Sequence, residues 1–260
     1  MAEVVVDINC DVGESYGAFT IGDDAGVMES ATSVNVACGF HGGDPRVIER
    51  TVGLAAVRGI GVGAHPGFAD LVGFGRRDLS LTFDEARTDI LYQIGALFGF
   101  TRAAGLPLQH VKPHGQLNNR AVADPDLARA IATAIKAFDP NLILVAYGGE
   151  LVNAGQGAGL RVAREVYADR EYTRERRLVS RGLVGAVITD TRKIVARAVT
   201  MVRDHTVTAI TGETIEVTAD TICVHGDTAG AAAIAVALRQ GLEKAGIAVR
   251  PLAEVLAWRR

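Results

Sequence analysis

The sequence has few cysteines, and their spacing predicts neither disulfides nor a cysteine metal site. Three cysteines, Cys10, Cys38 and Cys223, occur in 260 residues, and no two of them form a C-x-x-C pair. Secreted folds that depend on disulfides carry an even and much denser set of cysteines. We therefore expect a cytoplasmic protein in which each cysteine packs on the apolar face of a strand.

Long apolar runs and an excess of either charge are also missing. The longest apolar run, at about 231–238, is far shorter than the roughly 20 residues that span a bilayer. Glu3 and Asp7 interrupt the start of the chain, where a signal peptide would need a continuous apolar core. A net charge of −3 gives no reason to expect nucleic acid or an anionic membrane as a partner. With 48% hydrophobic and 22% charged residues, the composition is that of a globular protein.

The sequence does contain a recurring pattern, in which apolar segments end in ionisable residues. Side chains alternate between the two faces of a strand. In the first segment Asp7, Asn9 and Asp11 therefore share one face, opposite an apolar face. Parallel strands buried on both faces read instead as continuous apolar runs. A polar face on strand after strand predicts a shared polar interior, the candidate active site, formed by segments 4–11, 33–41, 59–65, 108–114, 160–169 and 221–227.

Helices alternate with these strands, and three of them have clear start signals. Asp44-Pro45 and Asp124-Pro125 each supply an N-cap followed by proline at the first helical position. Thr82 and Glu85 have the spacing of a capping box. The remaining predicted elements are helices at 191–203 and 229–245 and a short hairpin insertion near 206–217.

Strand and helix alternate seven times, which predicts one α/β domain over residues 1–260. We expect an irregular seven-stranded (β/α) barrel of TIM-like organisation, with its site at the C-terminal ends of the strands. A doubly wound open sheet has the same order of elements. The polar strand faces favour the barrel.

Two segments at the ends of strands have residues suited to acid–base chemistry. Asp11 and Glu14 lie at and just beyond the end of the first strand, where a general base belongs. His41 lies in the glycine-rich turn 38–44, whose glycines would let the backbone approach a ligand. We favour His41 over Cys38 as a catalytic residue, because the apolar face makes Cys38 a packed thiol.

Several basic residues follow other strands. Lys112 is either an ion-paired core residue or an anion-binding group. Arg76 and Arg77 either bind a carboxylate or phosphate bidentately or lie on a solvated loop. His110 and His114 have the spacing of a helical zinc motif, but four residues of strand span about 13 Å, too far for one ion.

Seven sequence motifs, spread over almost the whole chain, resemble those of the LamB/YcsF family. They lie at residues 7–14, 35–45, 63–67, 73–77, 109–115, 165–170 and 222–227. The family is similar in fold to the glycoside hydrolase/deacetylase barrels. The resemblance implies one part of a three-subunit bacterial 5-oxoprolinase, which opens 5-oxo-L-proline to L-glutamate with ATP as co-substrate and magnesium.

The same resemblance implies two partner subunits, of B and C type, while homo-oligomer formation stays open. The sequence contains no P-loop, so if this chain binds ATP it does so by another device. A five-membered lactam is an unactivated amide, and coupling to ATP would make its opening favourable. One route is phosphorylation of the lactam oxygen followed by attack of water.

The resemblance also implies which residues form the site. The catalytic residues would be Asp11, Glu14, His41, Lys112 and His114. The substrate-binding residues would be Asn9, Asn35, Asp44, His65, Arg76, Arg77, Glu165, Asp169, His225 and Asp227. Our hypothesis is that Asp11 or Glu14 activates water and that His41 or His114 protonates the leaving nitrogen. Lys112 would stabilise the developing negative charge.

One departure from the family and two alternative functions stay open. Asn118 stands where the family usually has tyrosine, so a hydroxyl donor is missing at that position. A metal-dependent amide hydrolase or deacetylase could use Asp11, His41 and His65 as ligands. The adjacent Asp-Asp and His-x-x-x-His patterns of the deacetylases are missing at matching places. The other alternative is a non-catalytic subunit that only binds the lactam for its partners.

Overall fold

A ring of parallel strands organises the protein, whose computed structural model describes residues 3–228 and 230–258. Strand β1 (Val4–Val12) pairs on one side with β2 (Ser33–Ala37) and on the other with β9 (Thr221–His225), which closes the ring. Within the described residues the barrel has seven strands in the order β1-β2-β3-β4-β5-β6-β9, which confirms the predicted fold class. The others are β3 (Gly61–His65), β4 (Leu108–Val111), β5 (Ile143–Ala146) and β6 (Arg161–Tyr167).

Among the residues that the structure describes, three short strands lie outside the ring. Strand β10 (Ile247–Val249) pairs in parallel with the first residues of β1. Strands β7 (Thr206–Thr208) and β8 (Thr214–Glu216) form an antiparallel hairpin between the last long helices, within the interval 206–217.

Helices surround the barrel, and the cap residues fix where several of them begin. The side chain of Asp44 accepts hydrogen bonds from two backbone amides of the first turn of its helix, and Asp124 does the same. Thr82 and Glu85 form a complete capping box. The helices are α1 (Asp24–Val27), α2 (Pro45–Arg58), α3 (Phe83–Ala103), α4 (Gly115–Ala121), α5 (Pro125–Phe138), α6 (Gly149–Gly157), α7 (Thr191–Arg203), α8 (Ala231–Lys244) and α9 (Leu252–Trp258).

The predicted helices agree with α2, α3, α5 and α7, whereas α8 begins at Ala231. Residue 229, the predicted start of α8, lies outside the described residues. No helix in the described part of the chain is long and apolar enough to cross a bilayer.

Two predictions about the strands are wrong in detail. Strand β2 ends at Ala37 rather than at His41, because Gly39 and Gly43 adopt positive φ angles of 97° and 80° and turn the chain. His41 therefore lies in a loop and not on the inner face of a strand. Strand β5 was missing from the predicted segments because it is apolar throughout and has no charged residue or histidine at its end.

The prediction for the cysteines holds only for Cys10, whose thiol lies on the outer, helix-facing side of β1 near the carbonyl of Val27. Cys38 follows β2 and is not in a strand. Cys223 faces the polar interior, where its Sγ lies 3.0 Å from Nζ of Lys112. Side chains two positions apart point to the same face of a strand, so Cys223 shares the inner face of β9 with His225.

Candidate active site

The polar interior of the barrel is built in layers, and Asp7 lies in the lowest one. Its carboxylate accepts hydrogen bonds from the hydroxyls of Thr32, Ser33 and Thr221. Asp7 is fully buried, and burial raises its pKa to about 6. This layer is a closed structural plug beneath the site.

The next layer is a network of buried amide, imidazole and carboxylate groups. Asn9 donates to Glu165 Oε1 at 3.0 Å, and Asn35 donates to Oδ1 of Asn9 at 2.7 Å and to Oδ1 of Asp11 at 2.8 Å. His110 Nε2 lies 2.8 Å from Oδ1 of Asn35. The structure therefore places Asn9, Asn35 and Glu165 beneath the cavity, where they orient the groups that reach it.

Lys112 is the centre of the site. Its Nζ lies 2.8 Å from Asp11 Oδ1 and 2.8 Å from Glu165 Oε1, and the side chain is only 2% exposed. Burial works to lower the pKa of Lys112, but Asp11, Cys223 and Glu165 together raise it well above its usual range. Burial works to raise the pKa of Asp11, but His65 and Lys112 bring it well below its usual range. Both groups are therefore charged at neutral pH.

Tyr167 covers this ion pair on the side of β6. Its hydroxyl donates to Oε2 of Glu165, and its ring lies 5.6 Å from the ammonium of Lys112. The ring also stacks on His225, with 5.4 Å between centroids. Asn118 Nδ2 lies 3.4 Å from the Tyr167 hydroxyl, so an amide stands at this position of the cavity wall.

Three imidazoles and one carboxylate form a second cluster beside Asp11. His114 Nδ1 lies 3.1 Å from His65 Nε2 and 3.4 Å from Glu14 Oε1. His41 Nε2 lies 3.3 Å from the same Glu14 oxygen, and its ring stacks in parallel on His114. One ligand atom from each of these four residues lies within 4.8 Å of all the others. The structure thus brings together a different donor set from the predicted Asp11, His41 and His65.

Burial dominates the titration of this cluster. It lowers the pKa of His41 and of His114 well below the usual range, and the neighbouring imidazoles act in the same direction. Burial also raises the pKa of Glu14 well above its usual range, with Asp11 adding to the effect. These shifts favour neutral rings for His41 and His114 and a protonated Glu14.

The glycine-rich turn positions His41 in this cluster. A Cβ on Gly42 would lie 2.8 Å from the carbonyl oxygen of Glu14, and one on Gly43 would lie 2.9 Å from that of Gly13. The glycines therefore permit close contact between the turn and the end of β1. This differs from the predicted role, in which they let the backbone approach a ligand.

His225 and Asp169 form a separate pair across the cavity. His225 Nδ1 lies 2.9 Å from Asp169 Oδ2. Burial works to raise the pKa of Asp169, but the charge and hydrogen bond of His225 lower it below the usual range. The ionised carboxylate holds the proton on Nδ1 of His225, which lines the cavity.

A cavity of about 560 Å³ opens above these groups, within the usual range for small-molecule sites. Six of the predicted residues line it: Asp11, His65, Arg76, Lys112, His114 and His225. Glu14 and His41 lie behind the wall. Asp169 is likewise behind it, where it supports His225.

Three other predicted residues make contacts that support the fold. Asp44 caps α2. Arg77, largely exposed, pairs with Asp70. Asp227 pairs with Arg76 at 2.6 Å, which fixes one cation at the cavity edge.

The mouth of the cavity contains residues that the sequence pattern missed. The segment 170–187 folds back on itself through the bridges Arg170–Val187 and Tyr172–Leu178. It contributes Arg170, Arg177 and Arg181 to the cavity wall, alongside Arg76. The run Arg-Glu-Arg-Arg at 174–177 was the available signal, since such a basic cluster directly after a predicted strand favours an anion site.

Comparison with known proteins agrees with the resemblance. The LamB/YcsF family profile matches residues 6–257. The chain is 52% identical over 246 residues to the A-type subunit of 5-oxoprolinase from Heliobacterium modesticaldum, covering 94% of this chain and 97% of that protein. The crystal structure of a lactam utilization protein from Thermus thermophilus matches with a TM-score of 0.90 and 49% identity, covering 95% and 99% of the two chains. A T48 deacetylase shares the fold, with a TM-score of 0.51, 15% identity and coverage of 98% and 92%.

Proposed function

The chain belongs to the LamB/YcsF family, and from this premise we propose that it opens the lactam ring of 5-oxo-L-proline to give L-glutamate, as one subunit of an ATP-dependent 5-oxoprolinase. The observation that carries the proposal is the buried Lys112–Asp11 pair at the floor of a cavity edged by arginines. A carbonyl to be polarised and a carboxylate to be bound are the two polar features of this substrate. The cavity offers a partner for each.

The arginines at the mouth would bind the carboxylate of the substrate. Arginine matches a carboxylate with two parallel hydrogen bonds. Arg177 and Arg181 lie on the segment 170–187, and Arg76 also lines the cavity. With its carboxylate held there, the lactam ring would reach down towards Lys112.

Lys112 and Asp11 would then act on the reacting carbon. The ammonium of Lys112 would stabilise the negative charge of the phosphoryl group transferred to the lactam oxygen, at a place from which bulk water is largely excluded. Asp11, ionised and at the cavity floor, would accept a proton from the attacking water. Of the two predicted bases, Asp11 is favoured over Glu14 because only Asp11 lines the cavity.

His225 is the best placed group to protonate the leaving nitrogen. It lines the cavity, and the contact of its Nδ1 with Asp169 fixes the orientation of its ring. The predicted acids are less well placed, because His41 lies behind the wall. His114 donates from Nε2 to the carbonyl of Phe74, and its Nδ1 faces His65 Nε2.

ATP and magnesium would enter through the complex with the B-type and C-type subunits. Transfer of the terminal phosphoryl group to the lactam oxygen would activate the ring carbon for addition of water. Cleavage of the C–N bond, with a proton delivered to nitrogen, would leave a γ-acyl phosphate. A second water would hydrolyse it to glutamate and phosphate. The three free cysteines of the chain fit a reducing compartment, and we place the enzyme in the cytoplasm.

The test is reconstitution of the purified chain with its two partner subunits. We expect negligible glutamate formation from 5-oxo-L-proline by the chain alone, even with ATP and magnesium, and ATP-dependent formation once both partners are added. Rapid ATP-coupled turnover by the chain alone would contradict the proposed requirement for the two partner subunits. ATP-independent hydrolysis of simple amides would instead support the metal-dependent hydrolase that the imidazole cluster makes the second candidate.

A further inference from the structure

We propose that Glu14, His65 and His114 bind one divalent transition-metal ion, and that His41 positions Glu14. This site lies in the wall behind the cavity floor and involves none of the groups to which the proposed lactam chemistry is assigned. The inference does not rest on the proposed function, because it concerns ion binding by the chain on its own.

The tautomers of two histidines are fixed by backbone carbonyls. His65 Nδ1 lies 2.7 Å from the carbonyl oxygen of Lys112, and His114 Nε2 lies 2.8 Å from that of Phe74. A carbonyl oxygen can only accept, so each of these nitrogens carries the ring proton. The other ring nitrogen of each, His65 Nε2 and His114 Nδ1, is then the one available to bind an ion.

These two nitrogens face each other at 3.1 Å. Carboxylate oxygens add to the same region, with Glu14 Oε1 at 3.4 Å from His114 Nδ1 and Asp11 Oδ2 at 3.5 Å from His65 Nε2. These nitrogen and oxygen atoms converge in one buried space, where a single cation would bind His65 Nε2, His114 Nδ1 and Glu14 Oε1 together.

The spacing of the donors suits a tetrahedral ion. Ligand atoms about 2.0–2.1 Å from zinc in a tetrahedron lie about 3.3 Å from one another. Glu14 Oε1 lies 3.4 Å from His114 Nδ1, which lies 3.1 Å from His65 Nε2. Both distances match that edge. Imidazole nitrogen with one carboxylate oxygen is a donor set for zinc, cobalt, nickel or iron rather than for magnesium or calcium.

The surroundings have the form of a prepared site. Metal-bound histidines usually donate their other ring N–H to a carbonyl or carboxylate, as His65 and His114 do here. His41 is aimed differently, because its ring lies parallel to that of His114 with centroids 3.7 Å apart. An ion bound by His114 would therefore lie outside the plane of the His41 ring, in which the nitrogen lone pair points, so His41 is not a ligand. Its Nε2 instead lies 3.3 Å from Glu14 Oε1, where an N–H can hold the carboxylate in place.

Three protein ligands would leave a fourth position of the ion open. His65 and His114 lie on the cavity wall, so that position would be reached from the cavity. A bound ion would supply Lewis acidity there. The protein's own part is to hold the His65 and His114 rings and the Glu14 carboxylate in place around the ion.

The test measures ion binding by the purified chain without partners, ATP or lactam. After treatment with a chelator and its removal, the chain is titrated with Zn²⁺ and, separately, with Co²⁺. We expect one ion per chain by elemental analysis, and for Co²⁺ the intense visible absorption of a four-coordinate site. Failure of this test leaves the reconstitution assay untouched, so it can be told apart from failure of the proposed function.

Variants locate the site. Glu14→Gln, His65→Gln and His114→Gln should each abolish stoichiometric binding, while His41→Gln should weaken it by about 10–100-fold. His205→Asn is the matched control, since His205 is exposed and distant from the cluster in sequence, and its loss should change nothing. Circular dichroism verifies that each variant is folded.

Three results would overturn the proposal. The first is absence of stoichiometric Zn²⁺ or Co²⁺ uptake by the wild-type chain. The second is wild-type affinity in folded Glu14→Gln and His114→Gln. The third is a proton shared between His65 and His114, detected by nitrogen-15 NMR of the rings and unaffected by added Zn²⁺.

Discussion

Replacing Lys112 by methionine should both destabilise the fold and abolish turnover. Methionine keeps much of the apolar stem of lysine but removes the ammonium that joins Asp11 and Glu165, both at 2.8 Å. Two carboxylates would then be buried next to each other without a cation. Breaking a buried ion pair by removal of one partner costs about 3–5 kcal/mol. A typical domain retains about 5–15 kcal/mol, so the variant should still fold.

The pH dependence follows from Asp11. Its pKa lies below the usual range in the folded protein, so its pairing stabilises the fold above about pH 4 and is lost as pH falls through the lowered pKa. In Lys112→Met that stabilisation is missing. At low pH the unpaired carboxylates become protonated, which reduces the free-energy cost of burying them. The difference in stability between the two proteins should therefore be largest near neutral pH and shrink below about pH 4.

The measurement is urea unfolding of both proteins between about pH 3 and pH 8, with Lys193→Met as the matched control. Lys193 also pairs with a glutamate, Glu171 at 3.0 Å, but its side chain is 54% exposed. An exposed pair contributes about 0–1 kcal/mol. Equal losses in the two variants, or a loss in Lys112→Met that does not depend on pH, would refute the reasoning. In the reconstituted complex Lys112→Met should reduce kcat by at least about 100-fold.

Three further predictions concern the surrounding layers. The raised pKa of Asp7 favours its protonated form in the folded protein, so the stability of the wild type should fall by about 3 kcal/mol as pH rises from about 4 to 6. Asp7→Asn should remove this decline. Urea unfolding that shows the same pH profile for both proteins would contradict this. Cys38→Ser should keep at least about half of the wild-type kcat, because Cys38 is buried away from the cavity and its pKa is raised to about 12. Complete loss of turnover with an unaltered Tm would instead indicate that Cys38 is a nucleophile. Asp169→Asn should lower kcat by about 10-fold or more with little change in KM, since it orients His225 rather than binding substrate, and a rise in KM alone would contradict that role.

The fold could be predicted from the sequence because its pattern has a direct physical cause. Alternation of polar and apolar residues in β1 is imposed by a polar barrel interior, and the same alternation in β9 placed His225 inside. Helix starts were equally local, since Asp44 and Asp124 cap the helices that follow them. Strand β5 was not predicted, because its residues contribute no polar side chain to the barrel interior.

The arrangement of the site could be predicted only in part. The sequence identified the residues at the strand ends, but not which of them meet, because that depends on register and on loop paths. The turn after β2 moves His41 behind the cavity wall, and the pairing of Asp227 with Arg76 joins residues 151 positions apart. The basic run at 174–177 indicates an anion site, but the arginines of segment 170–187 reach the cavity only because that segment folds back on itself, a path that the sequence does not show.

The central claim is that lactam opening takes place in the cavity of this chain, and one comparison tests it most directly. Complexes are assembled from the two partner subunits with either the wild-type chain or Asp11→Asn, a change that keeps the shape of the side chain and removes its charge. We expect both chains to co-purify with the partners, and ATP-dependent glutamate release to fall at least about 100-fold with Asp11→Asn. Near wild-type glutamate release by the Asp11→Asn complex would contradict the claim and assign the chemistry to one of the partners.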